Sequence, residues 1–430
     1  MKALRLIIVI TLVAVSASAQ PKNFDDFSKT FVSGYKSLNL PQLELSYVAN
    51  LQHIGSAGQI QQQLDFFNGI KAQLPAYQIA QLTPAQKVDY QLIDYETGLN
   101  LQLLALEQKW IQHNVKAIPD SGIINVPEGK QWYAYLLNRW VNDKVNPDEI
   151  FQFGQAEVKR VQGHIETIRK QTGLSEDAFY KHLNDPSFFV SDQPSIQHAF
   201  EHNKKLIYAN LNKLFSTTDI APLKIEKGTN AVLVQTPGYY NNNTFYYNLF
   251  DKPYNKRQFD WLFIHEAVPG HHYQNSIVAQ TKVSDVQQLF FYIGFAEGWG
   301  AYAEELGKQL GLYQTLYDEL GKWEWDIVRS VRVPLDVGIN YYGWTDAQAL
   351  DFWKKNIRGQ DDIAMREIQR VKRWPAQVVT YKYGALQILH WKQELQKKQG
   401  KDFNIKDFHD RVLNHGSLPL FMVKENVFKG

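Results

Sequence analysis

The chain has 430 residues, 44% of them hydrophobic, a formal net charge of +2 and no cysteine. That balance, with no basic run, argues against a nucleic-acid role, and the missing thiols exclude disulfides, thiolate metal ligands and cysteine nucleophiles. Stability must come from an apolar core, for which this length has ample material, in one large domain or two close-packed ones.

Met1-Lys2-Ala3-Leu4-Arg5 precedes an apolar run from Leu6 to Val15 and the small residues Ser16 to Ala19. This pattern predicts a secretory signal peptide over 1–19, with the mature chain starting near Gln20. The run is too short for an ordinary membrane span, and no cysteine stands near it to carry a lipid. The expectation is a periplasmic or secreted protein with no stable membrane anchor.

From Phe24 to about Asp219 the pattern is mostly helical. Thr83-Pro84 is a cap with a first-turn proline, and apolar residues then recur at three- and four-residue spacing to Trp110. Asn146-Pro147 opens another helix, with Ile150, Phe153, Val158, Val161, Ile165 and Ile168 as its core stripe, ending at Gly173. The texture changes after Pro222, so we divide the chain softly into an N-terminal helical region, 20–220, and a catalytic region, 221–430. Ala231 to Val234 and Thr244 to Tyr247 are β-prone runs, and they read as a hairpin whose free edge could pair with an extended peptide. Tyr246 on that hairpin is a candidate substrate contact.

Helices resume near Lys256 and reach the segment Phe263 to Gln274, which holds His265, Glu266, His271 and His272. In the short zinc motif HExxH, two histidines four apart share one helix face, and the intervening glutamate activates a metal-bound water. Here Pro269 occupies the second ligand's place. His272 would return to the face of His265 at about 100° per residue, but it would sit roughly 10 Å further along a regular helix. Chelation therefore requires a broken helix, and Pro269-Gly270 is suited to break it.

Ser284 with Gln287 forms a capping box that predicts a helix to about Leu310, before Gly311. Gly294, Gly298 and Gly300 inside it would each cost roughly 1 kcal/mol relative to alanine, which the close approach of another helix would offset. Glu297, among these glycines, is placed to face a metal held by the His265 helix. Glu304 shares its face, as a competing ligand or a supporting partner, whereas Glu305 reads as solvent-exposed.

At this point the residues resemble the DUF885 proteins, bacterial and largely helical, similar to zincin metallopeptidases. The likeness rests on HEAVPGHHYQ from His265, on Glu297-Gly298-Trp299 with Tyr302-Ala303-Glu304, and on Arg332 to Asn340. It continues through Gly343-Trp344-Thr345 and Trp374-Pro375-Ala376-Gln377 with Thr380-Tyr381-Lys382, so it runs from about Pro222 to the C-terminus. It implies a mainly α, zincin-like fold with a small β-hairpin beside the active-site helix. It also implies one zinc ion on His265, His271 and Glu297, leaving His272 outside the ligand set as a supporting residue. Two departures stand out: Asn340 where the family usually has histidine, and Ala376 where it usually has glycine. Tyr381 and Asn340 become candidate hydrogen-bond donors to an oxyanion, and Arg332 or Arg373 a candidate anchor for a substrate carboxylate.

The resulting expectation is a secreted zinc peptidase acting on short peptides, with Glu266 as general base. Its alternatives are a metal-containing binding protein for peptides or cell-wall fragments, favoured by Asn340, and a metal-dependent amidase on a non-peptide substrate. Histidines and a carboxylate without thiolate favour zinc but would also accept manganese or cobalt.

Overall fold

A computed structural model describes residues 23–429 apart from 232, 234, 235, 250 and 251; the predicted signal peptide lies outside the described residues. The chain is mainly helical. Thr83 caps Pro84–His113 through a reciprocal box with Gln86, and Asn146 caps Pro147–Thr172, which ends at Gly173 with φ +73°. Of the predicted stripe on that second helix, Ile150, Val158, Val161 and Ile168 are buried, whereas Phe153 and Ile165 are half-buried at its margins.

The organising element is the spine helix Leu316–Asn340. From Asp326 to Asn340 every residue is buried, as expected of a helix packed on all sides. Gly154 lets the Pro147–Thr172 helix lie against it, since a Cβ there would fall 2.6 Å from Pro334 Cδ. Buried charges on the spine need partners, and three of them find one on separate elements. Asp326 accepts from Lys382 at 2.8 Å, Arg329 meets Glu304 at 2.6 Å, and Arg332 meets Glu367 at 2.5 Å. Core residues from both sides of residue 220 share one cluster, in which Phe24, Phe27 and Phe200 join Trp261, Phe263 and Trp299.

Strand β1 (Phe189–Val190) pairs antiparallel with β5 (Tyr254–Asn255). Strands β2 (Lys224–Lys227), β3 (Gly238–Asn241) and β4 (Thr244–Tyr247) form a sheet of order β2-β4-β3, parallel between β2 and β4 and antiparallel between β3 and β4. The hairpin therefore differs from the predicted one. Its first strand is 238–241, whereas Ala231 and Leu233 lie in turn and bend, and Val232 and Val234 fall outside the described residues. The reason lies in the turn: Asn242 and Asn243 both take positive φ, 45° and 58°, and asparagine tolerates the left-handed pair that a two-residue hairpin loop needs. Strand β4, which carries Tyr246, is the middle strand, with both edges paired.

The Ser284 capping box also behaves differently from the prediction. Ser284 and Gln287 exchange their hydrogen bonds, but only the single turn Gln287–Leu289 follows, and the helix proper is Ile293–Ala303. Tertiary bonds account for the interruption. The Tyr292 N–H donates to Ser417 Oγ and the Gly294 N–H to Asn142 Oδ1, holding Tyr292 extended between two helical pieces. After Ala303 the chain tightens into 3₁₀ geometry through Glu304–Leu310.

Candidate metal centre

Two short helices meet at the proline-glycine break. The first, Phe259–Glu266, is buried through Trp261, Leu262, Phe263, Ile264 and His265. At Ala267 the backbone leaves the helical region (φ −103°, ψ −106°), the Val268–Pro269 peptide is cis, and a new helix, His271–Gln280, begins after Gly270. Gly270 folds back so tightly that its N–H donates to the Ile264 carbonyl, and a Cβ there would fall 1.8 Å from the His265 carbonyl oxygen. Only glycine fits that corner. The Trp299 indole ties the corner to the Glu297 helix by donating to the Pro269 carbonyl at 2.8 Å.

The three glycines of the Glu297 helix (Ile293–Ala303) have distinct neighbours. Gly294 abuts the Val141 carbonyl, Gly298 meets Gly384 of the Val379–Gln399 helix backbone to backbone, and Gly300 opens the space filled by the His265 imidazole. Close helix approach and the His265 ring thus occupy the room that side chains would have taken.

Across this gap Glu297 Oε2 lies 3.5 Å from His265 Nε2 and 3.4 Å from His271 Nε2. Ligands bonded to one tetrahedral zinc at about 2.0–2.1 Å stand about 3.3 Å apart. The whole donor set falls within 4.8 Å, and the His271 ring is partly exposed. Glu297 Oε2 is buried and has no hydrogen-bond partner, so it is an acceptor waiting for a cation. Burial opposes charge on His265, but the neighbouring carboxylates of Glu297 and Glu304 outweigh it and push the imidazole up to about 9. Burial alone would raise the Glu297 carboxyl, yet the two imidazoles hold it far below the usual carboxylate range. The pocket is thus arranged for positive charge between three donors, and the residues fit a divalent metal.

Glu304 lies outside this triangle, with Oε1 2.8 Å from His265 Nδ1. That carboxylate–histidine pairing leaves Nε2 free to coordinate. Arg329 donates to the same oxygen at 2.6 Å and stacks over Trp261 and Tyr381. No sequence signal singled out Arg329, which in one dimension is an ordinary basic residue of an amphipathic helix. Glu266, at the end of its helix, is half-buried; burial pushes its carboxyl up, while His265 and His271 pull it down. The Tyr381 ring centroid is 6.3 Å from that of His265, and burial, with Glu297 nearby, raises its phenol and keeps it protonated.

Five sequence candidates are placed elsewhere. His272 points away from the triangle, with Nε2 2.8 Å from the Ala221 carbonyl and Nδ1 3.3 Å from the Tyr240 hydroxyl, so it braces the sheet instead of a ligand. Asn340 ends the spine eleven residues beyond Arg329, roughly 16 Å along the axis at 1.5 Å per residue, and its amide donates to Asp336 and the Val371 carbonyl. Arg332 is buried and committed to Glu367, its guanidinium drawn down to about 10, chiefly by burial. Arg373 is exposed and faces Asp120 at 3.5 Å. Tyr246 stacks on Tyr239 across the hairpin.

A family model described as "Bacterial protein of unknown function (DUF885)" matches residues 106–427. The chain belongs to the DUF885 family. The match begins well before Pro222, so the family unit includes the helices that brace the spine. No curated protein sequence matches the chain. Among solved structures this DUF885 protein is similar to a candidate lipoprotein from Colwellia psychrerythraea, with 23% identity, TM-score 0.67, and 94% of this chain and 73% of that chain covered. It is also similar to a candidate lipoprotein of unknown function from Shewanella oneidensis, with 16% identity, TM-score 0.72, and 95% and 100% covered. These likenesses establish a shared fold. No described helix is long and apolar enough to cross a membrane.

Proposed function

We propose that this DUF885 protein is an exported, zinc-dependent peptidase with a zincin-like site, acting on short peptides. The observation that carries the reading is the convergence of His265 Nε2 and His271 Nε2 on Glu297 Oε2, at 3.5 and 3.4 Å, with the whole donor set within 4.8 Å and Glu266 next in sequence to one donor. A bound zinc ion would polarise the scissile carbonyl and lower the pKa of its water. Glu266, its carboxyl raised by burial, would accept a proton from the attacking water and return it to the departing amine. Glu304 would hold the His265 tautomer, and the Tyr381 phenol would donate to the developing oxyanion. Export is supported by the signal-like pattern of 1–19 and by the description of both fold relatives as candidate lipoproteins.

The binding-protein reading leaned on Asn340, whose side chain is spent on Asp336 and Val371 far along the spine. It therefore gains no support from the site. The test combines metal analysis of purified protein with mass spectrometry of a peptide library treated with wild type and Glu266→Gln. One zinc per chain and a loss of about 10²–10⁴ in turnover are expected on removing a general base. Absence of stoichiometric metal, or unchanged hydrolysis by the variant, would overturn the proposal.

A further inference from the structure

Tyr381 leads from the metal centre to a second polar group. Its hydroxyl accepts from Gln377 Nε2 at 3.3 Å, and Gln377 Oε1 accepts from Arg370 Nη2 at 3.2 Å. Gln377 is buried, so this relay is enclosed. Arg370 is partly exposed and sits over the Trp374 ring at 5.2 Å. Its Nε is buried without a hydrogen-bond partner, and among the described residues no carboxylate lies within ion-pair distance of it. Glu367, nearby on the same helix (Asp361–Arg373), is taken by Arg332 at 2.5 Å and Arg366 at 3.2 Å. Three guanidiniums thus surround one carboxylate, and Arg370 is the one left without an acid. The Tyr381 ring thus has His265 on one side, its centroid 6.3 Å away, and is joined through Gln377 to this cation.

We propose that Arg370 binds the C-terminal carboxylate of the substrate, making the enzyme a carboxyl-terminal exopeptidase that releases one or two residues. This assignment rests on the peptidase reading above. The relay from Arg370 Nη2 to Tyr381 Oη contains two hydrogen bonds and one amide group, so it spans at most about 9 Å. A peptide advances at most about 3.3–3.6 Å per residue. With Tyr381 on the scissile carbonyl, a carboxylate one or two residues downstream therefore comes within reach of the guanidinium. Arginine's planar fork suits a carboxylate bidentately, and stacking on Trp374 holds that plane. Hydrolysis breaks the C–N bond: water supplies hydroxyl to the acyl carbon and a proton to the leaving amine, yielding a shortened peptide acid and a free amino acid or dipeptide.

The test compares peptides of one sequence with a free and an amidated C-terminus. Zinc-loaded wild type, Arg370→Gln and Arg370→Lys are assayed for kcat/KM, and peptide binding to Glu266→Gln is followed by calorimetry. Amidation is expected to reduce both kcat/KM and binding roughly ten- to hundred-fold, the range for a hydrogen bond to a charged group. Arg370→Gln should bring the free peptide down to the level of the amidated one, with the melting temperature unchanged, and Arg370→Lys should recover part of the loss. Equal treatment of the two peptides by wild type would overturn the exopeptidase assignment while leaving the peptidase intact. So would an equal loss on both in Arg370→Gln, which marks a brace for Gln377 and Tyr381. If wild type neither binds nor cleaves either peptide, the peptidase reading itself falls, and the role of Arg370 with it.

Discussion

Replacing Gly300 by alanine tests whether the glycines of the Glu297 helix serve the site or only the packing. An added Cβ would lie 2.8 Å from His265 Cε1 and 3.1 Å from both ring nitrogens. Ordinary carbon contacts begin near 3.5 Å, so the imidazole must retreat by about 0.6–0.7 Å. It has little freedom to do so, because its Nδ1 is tied to Glu304, which Arg329 in turn fixes at 2.6 Å. Metal–ligand bonds tolerate only about ±0.2 Å, so the displacement should lower zinc affinity on the scale of a lost supporting partner, about 10- to 100-fold. Fold stability should respond differently, since alanine gains up to about 1 kcal/mol of helix propensity over glycine and offsets part of the crowding. Zinc affinity by chelator competition and unfolding of the metal-free protein by urea separate the two effects. Wild-type affinity in Gly300→Ala would refute the claim that this glycine makes room for a ligand.

His271→Ala should abolish stoichiometric zinc binding, whereas His272→Ala should keep the metal and lose about 1–3 kcal/mol of stability from the stranded Ala221 carbonyl; metal analysis and urea unfolding of both variants check this. Glu304→Gln keeps the shape but leaves Arg329 without a counter-charge, and breaking such a buried pair costs about 3–5 kcal/mol; an unchanged urea midpoint would contradict the pairing. Gly384→Val should destabilise by at least about 1–3 kcal/mol through overpacking, because a Cβ there lies 2.6 Å from Gly298 Cα; thermal unfolding measures the loss. Burial raises the Glu107 carboxyl to about 7, above its ordinary value. The folded state therefore keeps a proton that the unfolded chain has released, and stability falls as pH rises from about 4.5 to 7. Glu107→Gln should flatten that slope and be the more stable protein at pH 8, by up to about 3 kcal/mol, in urea titrations at pH 5 and 8.

The helices with local start signals were legible in sequence, because Thr83-Pro84 and Asn146-Pro147 determine their own ends. The grouping of His265, His271 and Glu297 was anticipated less directly: the helix breaker and the glycines pointed to this region, and the resemblance to DUF885 proteins chose His271 over His272. Ser284 misled because its capping box forms as written, while Ser417 and Asn142, distant in sequence, hold the following residues extended. The hairpin shifted because β-prone valines outweighed the Asn242-Asn243 turn in a one-dimensional reading. Charged residues were the least legible. Arg332 and Arg373 look equivalent to Arg370 in sequence, and only the allocation of Glu367 and Asp120 leaves Arg370 without an acid. Arg329 was invisible for the same reason, since its importance comes from Glu304 and His265.

The spine helix carries Asp326, Arg329, Arg332 and Asp336 at intervals of three, three and four, and the first three are each matched by a different neighbour. Such a helix is keyed: a slip by one turn would strand several buried charges at once, each at about 3–5 kcal/mol. Because Arg329 is one of the keys and shares Glu304 with His265, the axial position of the spine bears on the orientation of His265. A substitution at Lys382 or Glu367 should then shift His265, and under the proposed zinc reading metal affinity would gauge whether the spine is seated.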